Sequence, residues 1–135
     1  MKRAAVLGAL WVGVVLAFGT TGAWAQDPTK VAPSMYKQIF ENERVRVLQV
    51  VFEPGESIPV HSHPDHLAYA ETAGKLRISP VGGSPSETDL TPGQVLFIKA
   101  ESHSATNVGS TEIRVLVVEL KEPAPVQPKA APAKK

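Results

Sequence analysis

Apolar and polar residues alternate through the middle of this chain with the period of two that is typical of β-strands. Residues 45–52 are rich in β-branched side chains and stop before the turn pair Pro54-Gly55. Residues 75–78 alternate between polar and apolar, whereas residues 113–120 carry apolar side chains on both faces. The pattern predicts seven strands, at residues 45–52, 58–63, 67–72, 75–78, 95–98, 102–107 and 113–120.

The sequence gives little sign of helix. No ten residues beyond the N-terminal segment sustain a 3.6-residue period. Turn residues recur at short intervals, as at Pro92-Gly93 and in the Gly/Ser/Pro loop of residues 81–85. Short strands with closely spaced turns predict an all-β fold, a small antiparallel β-barrel or a sandwich. Closure into a barrel also removes the edge strands that a short chain would otherwise expose.

The first 25 residues resemble a secretory signal peptide. Lys2 and Arg3 form a short positive region, an uncharged apolar stretch follows at residues 4–18, and Ala23-Trp24-Ala25 has the small-x-small pattern of a cleavage site. The alternative is an uncleaved membrane anchor, but the apolar stretch is short for a span of about 20 residues. We therefore expect cleavage after Ala25, a periplasmic or secreted protein, and no stable membrane span after cleavage.

The C-terminal residues 123–135 contain four prolines, four alanines and three lysines without an acidic residue, which predicts a disordered tail. Residues 26–34 read as a short leader. The sequence therefore predicts one folded domain at residues 35–122.

Charge and composition exclude several classes of protein. Fourteen Lys and Arg balance 13 Asp and Glu, so a generally basic nucleic-acid-binding surface is not expected. Because the chain has no cysteine, disulfides, thiolate metal sites and cysteine nucleophiles are excluded as well.

The candidate chemistry lies in the four histidines, His61, His63, His66 and His103. His61 and His63 are two residues apart on a predicted strand, so their side chains share one face and can bind one ion. A further ligand must then come from a neighbouring strand, and His103 lies on one. Neutral imidazole favours zinc, iron, copper or nickel over magnesium or calcium. The alternative is a run of exposed loop histidines beside Pro64.

Two segments together resemble the cupin superfamily. Pro54-Gly55, His61-Ser62-His63, Tyr69 and Gly74 are similar to its first motif, and Pro92-Gly93, residues 95–98, His103 and Asn107 are similar to its second. The resemblance implies a jelly-roll-like double-stranded β-helix with one metal ion near its wider mouth. It also implies that His61, His63 and His103 are three of the usual four ligands, and that a homodimer forms.

The fourth ligand is where the chain departs from this pattern. The family's glutamate should follow the second histidine with three or four residues in between, but Leu67 and Ala68 stand at those positions. Counted back from Tyr69, the glutamate position falls on His66. Either His66 replaces the glutamate or the site has three histidines, and Glu71 is a poorer candidate.

Three functions remain open at this point. The first is a metal-dependent enzyme, dioxygenase- or isomerase-like, that acts on a small anionic or carbonyl compound. The second is a non-enzymatic cupin that binds metal or a small ligand as a sensor, carrier or accessory protein. The third is an empty scaffold that dimerises through its strands. Tyr69, Phe52 and Phe97 are candidates for lining a ligand pocket, with core packing as their alternative role; the sequence identifies no catalytic residue.

Overall fold

The computed structural model describes residues 26–122, so the predicted signal peptide and C-terminal tail lie outside the described residues. Within that range one short helix and nine strands follow each other: α1 (Pro28–Val31), β1 (Tyr36–Glu41), β2 (Val45–Phe52), β3 (Ser57–His63), β4 (His66–Ala70), β5 (Gly74–Pro80), β6 (Ser86–Leu90), β7 (Val95–Ile98), β8 (Glu101–Asn107) and β9 (Ile113–Leu120). The prediction of an all-β antiparallel fold is confirmed.

The strands form two sheets that enclose the core. One sheet has the order β1-β2-β9-β4-β7 and the other has the order β3-β8-β5-β6, and the paired strands are antiparallel. Inward-facing apolar side chains of both sheets meet in a single cluster, which includes Leu48, Val50, Phe52, Ile58 and Ile113. This burial of alternate residues from each strand is what stabilises so short a chain.

Two proline-glycine turns lead into strands of this fold. The amide of Glu56 donates to the carbonyl of Glu53 across Pro54-Gly55, and the amide of Gln94 donates to the carbonyl of Thr91 across Pro92-Gly93. Gly55 and Gly93 have φ angles of 82° and 85°. A proline followed by a glycine of positive φ is the sequence of a type II turn.

All seven predicted strands are present, but β1 and β6 were not predicted. In β1 only Tyr36 is buried and the remaining residues are exposed, so the strand shows no alternation. In β6 the inward positions include Ser86 and Thr88, whose small polar side chains carry no hydrophobic signal. Pairing with a neighbouring strand, rather than local sequence, makes these segments extended.

The structure differs from the sequence prediction at residues 26–34, which fold against the barrel. Pro28 and Ala32 are buried, and Ala32 belongs to the core cluster. Asp27 caps α1 by accepting from the amide of Thr29 at 2.9 Å. Helix α1 has only four residues, and no helix among residues 26–122 is long and apolar enough to cross a membrane.

Candidate metal centre

Three histidines converge between the two sheets. His61 and His63 lie two residues apart on β3, and His103 lies directly opposite His61 on the paired strand β8. Their ring centroids are 4.7 Å apart for His61 and His103, 4.9 Å for His61 and His63, and 5.6 Å for His63 and His103. One ligand nitrogen from each of the three lies within 4.8 Å of the others, and all three residues are buried.

A β-bulge brings the histidines of β3 to the inside. The register of β3 against β8 shifts between Ile58 and His61, so that Ile58, His61 and His63 are all buried although the first two are three residues apart. Pro59, which has no amide hydrogen to donate, stands in the bulge. Without the extra residue, the alternation of the strand would turn both histidines to the outer face.

Each histidine is oriented by a hydrogen bond from Nδ1. His61 Nδ1 donates to the carbonyl of Pro59 at 2.8 Å, and His103 Nδ1 donates to Glu101 Oε1 at 2.7 Å. His63 Nδ1 is 2.6 Å from Glu119 Oε1. Because the carbonyl and carboxylate oxygens accept, the network assigns the proton to Nδ1 and leaves Nε2 as the nitrogen for a metal ion.

The acceptor of His63 belongs to a buried chain of charges. Glu119 is 3% exposed, and its Oε2 accepts from Arg46 Nε at 2.6 Å. Arg46 Nη1 in turn donates to Asp27 Oδ2 at 2.5 Å. Burial acts to raise the pKa of the Glu119 carboxyl, but the hydrogen bonds from His63 and Arg46 outweigh it and lower that pKa below its usual value. Glu119 is therefore ionised when it orients His63.

His66 approaches from the facing sheet. It lies on β4 opposite Glu119, and its ring centroid is 4.7 Å from that of His63. Its Nδ1 donates to the carbonyl of Pro64 at 2.8 Å, the same arrangement as in His61. His66 is buried beside the group of His61, His63 and His103 but is not part of it. Glu71, the other residue considered for the fourth position, lies just beyond the opposite end of β4.

Tyr36 was not predicted from the sequence, yet its hydroxyl points at the histidines. It lies 3.2 Å from His61 Nε2 and 3.5 Å from His63 Nε2. Burial, with a smaller contribution from the Glu119 carboxylate, raises the pKa of Tyr36. The phenol therefore stays protonated at neutral pH and acts as a hydrogen-bond donor to the side of the histidines that a metal ion would use.

Burial disfavours the charged form of three of the imidazoles. It lowers the pKa of His61 to about 4 and lowers the pKa values of His66 and His103 below the ordinary value. Imidazole nitrogens at three close positions match zinc, iron, copper and nickel. The donor set therefore fits a divalent transition metal ion.

The metal-free protein should lose stability as the pH falls from 7 to 5. The pKa of His61 is about 4 in the fold and 6.5 when exposed, so over this range the unfolded chain binds the proton more readily. The loss begins near pH 6.5 and ends near pH 4, and for His61 alone it amounts to about 2 kcal/mol between pH 7 and 5. Urea denaturation of chelator-treated protein at pH 7 and pH 5 measures this loss of free energy of unfolding.

A matched control for this prediction is the His61→Gln variant, which has no group to titrate at that position. Its free energy of unfolding should change less between the two pH values. Equal slopes for the variant and the unaltered chain would contradict the assignment to His61.

Three of the histidines, His63, His66 and His103, border two adjoining cavities. A small one of about 60 Å³ is lined by Phe52, His63, His66 and His103 among others, and a larger one of about 310 Å³ is lined by Phe97 and His103 among others. Of the three predicted pocket residues, Phe52 is buried and Phe97 lies at the rim, 56% exposed. Tyr69 is 41% exposed and lines neither cavity, because the alternation of β4 turns it to the outer face.

The chain was also compared with known proteins. The sequence profile described as a cupin domain matches residues 48–119. A search of curated proteins gave no match.

Among solved structures, a cupin domain from Bordetella pertussis is similar at 27% identity and a TM-score of 0.60, over 65% of this chain and 93% of that one. A cupin superfamily protein from Desulfitobacterium hafniense is similar at 22% identity and a TM-score of 0.52, over 65% of this chain and 77% of that one.

Proposed function

Since the chain belongs to the cupin family, with the domain profile spanning residues 48–119, we propose that it binds one divalent transition metal ion through Nε2 of His61, His63 and His103. The observation that carries this proposal is the set of Nδ1 hydrogen bonds, which leaves Nε2 of each ring without a proton and able to act as a ligand atom. Zinc, iron, copper and nickel are the candidates. When bound, such an ion polarises an oxygen atom of a ligand or of water.

The adjoining 310 Å³ cavity favours a ligand-binding role for this centre, in an enzyme that acts on a small compound. Its lining is mainly apolar, which is the setting that favours binding of a small organic compound beside the metal ion. The protonated hydroxyl of Tyr36 supplies a hydrogen-bond donor beside His61. A non-enzymatic cupin that carries or senses metal remains the competing role, and turnover assays with carbonyl compounds distinguish the two.

Elemental analysis tests the metal site. The protein should be purified without an affinity tag or chelator, beside a His61→Ala/His103→Ala variant. We expect close to one zinc, iron, copper or nickel ion per chain in the unaltered protein and none in the variant. Absence of metal from both, even after incubation with each ion, would rule the site out, and an unchanged metal content in the variant would place the ion elsewhere.

Metal titration of a His66→Ala variant decides between three and four histidine ligands. Because His66 lies outside the group of three close nitrogens, we expect its replacement to weaken zinc binding by less than tenfold. This corresponds to a loss of less than about 1.4 kcal/mol of binding free energy. The matched variant His63→Ala should weaken it by more. Equal losses of zinc affinity in the two variants would show that His66 contributes to metal binding as much as His63 does.

We further propose that the protein is exported, with cleavage after Ala25. The composition of residues 1–25, which lie outside the described residues, supports this proposal. Mass spectrometry of the protein from its native host should give a chain that begins at Gln26. The homodimer implied by the family resemblance stays a prediction, which light scattering of the purified protein checks.

A further inference from the structure

We propose that the 310 Å³ cavity takes a ligand with an apolar body, a single polar head at the histidine end, and no second charged group at the far end. This inference rests on the proposed metal site and specifies the class of compound that the site accepts.

The cavity wall is made by both sheets and is mainly apolar. Strands β4, β7 and β9 of one sheet and β5, β6 and β8 of the other contribute to it. The aliphatic part of the lining is Ala68, Ala70, Leu76, Ile78, Leu90, Leu96, Ile98 and Val115. Burial of an apolar body against this wall favours binding in proportion to the apolar surface removed from water.

The histidine end fixes where the polar head lies. The 310 Å³ cavity shares His103 and five apolar residues with the 60 Å³ cavity that His63, His66 and Tyr36 line. The two spaces therefore adjoin each other, and the polar groups gather at one end. A ligand oriented by a metal ion at that end extends its body into the larger space.

The far end of the cavity offers no partner for a second charge. Among the residues that line it, only His103 and Glu101 are ionisable, and Glu101 accepts from His103 Nδ1 at 2.7 Å. Strand β6 adds only the uncharged hydroxyls of Ser86 and Thr88. A carboxylate or phosphate placed there would lose part of its hydration without gaining a counter-ion, so it should weaken binding. The sequence predicted small anionic compounds as ligands. The cavity restricts these to compounds whose only charge lies in the polar head at the histidine end.

The volume limits the size of the body. An engineered cavity of about 150 Å³ lined by Leu, Ile and Phe binds benzene. The present cavity, about 310 Å³, has room for one ring with short substituents or a branched chain of similar bulk.

Three hydroxamic acids test this inference on the zinc-loaded protein, since all present the same chelating head. Acetohydroxamate lacks an apolar body, benzohydroxamate has one, and para-carboxybenzohydroxamate adds a charge at the far end. By calorimetry we expect benzohydroxamate to bind about tenfold more tightly than acetohydroxamate because the ring is buried. The para-carboxyl group should weaken binding by about tenfold or more because it has no counter-ion.

A Thr88→Arg variant tests the charge argument directly. Thr88 lines the cavity and is half-buried, so an arginine there places a cation at the far end. We expect para-carboxybenzohydroxamate to regain at least the affinity of benzohydroxamate. The matched control is Glu87→Gln, which changes the net charge by the same amount on the outward face of the same strand and should leave all three affinities unchanged.

The outcomes separate the two proposals. If zinc binds and the three hydroxamates have equal affinity, the ligand class is wrong and the metal site stands. If zinc does not bind to the histidines, the proposed function fails and the ligand class falls with it. If the Thr88→Arg variant does not fold, the comparison of the three compounds on the unaltered chain still decides.

Discussion

Replacing Glu119 by alanine is expected to lower the free energy of unfolding by about 3 kcal/mol and to weaken zinc binding about 10- to 100-fold. Glu119 is buried and accepts from both His63 and Arg46 at 2.6 Å. Its removal leaves the Arg46 guanidinium, only 16% exposed, with Asp27 as its remaining partner and leaves His63 free to rotate. Urea denaturation and zinc titration measure the two effects.

Two further variants separate the contributions. Glu119→Gln keeps the shape and one acceptor oxygen but not the charge, so it should retain more stability than alanine. Glu112→Ala removes an ion pair with Arg114 whose partners are 34% and 46% exposed, and should change stability by less than about 1 kcal/mol. The interpretation fails if Glu119→Ala lowers the free energy of unfolding no more than Glu112→Ala does. It also fails if Glu119→Ala lowers that free energy without weakening zinc binding.

A Gly74→Ala substitution is expected to destabilise the fold by about 3 kcal/mol through a steric overlap. A Cβ atom on Gly74 would lie 2.3 Å from Cγ1 and 2.8 Å from Cδ1 of Ile113. Ile113 is fully buried at the start of β9, so it cannot move away without disturbing the core. Gly74 has no positive φ, so the cost comes from the contact and not from backbone strain.

A double-mutant cycle with Ile113→Ala checks this origin. The smaller side chain removes both atoms that the new methyl group would meet, so Gly74→Ala should cost far less in that background. The measurement is the free energy of unfolding of the four variants. A cost that is the same in both backgrounds would show that the contact with Ile113 is not its cause.

The sequence predicted the fold well wherever side chains alternate. The observed bounds of β2, β7 and β9 coincide with those predicted from residues 45–52, 95–98 and 113–120. Where a strand lacks a buried face, as in β1, the period of two disappears and the strand was missed. The helix at Pro28–Val31 is too short to show a period at all.

The candidate site was predicted in part. The spacing of His61 and His63 and the position of His103 were sufficient to bring the three together. The bulge at Pro59 could not be foreseen, because a register shift depends on the partner strand. A continuous alternation from Ile58 would place that residue and His61 on opposite faces.

The residues that orient the histidines were not found from the sequence. Tyr36 and Glu119 are distant along the chain and belong to no local motif, so only the pairing of β1, β2 and β9 brings them to the site. Arg46 carries no local signal of its role either, although it pairs directly with Glu119 across β2 and β9. The one signal in the sequence was Glu119 itself, an acidic residue among the apolar side chains of residues 113–120, because a buried carboxylate requires a partner.

The groups around His63 come from opposite ends of the described chain, Asp27 near its beginning and Glu119 near its end. Contacts so far apart in sequence form slowly, because the intervening chain must first be ordered. A partly folded chain therefore offers an ion only the local pair His61 and His63, without the tyrosine, the carboxylate or the facing sheet. Strand β9 lies between β2 and β4 and carries Glu119, so a chain truncated before β9 would lose the middle of one sheet together with the anchor of His63.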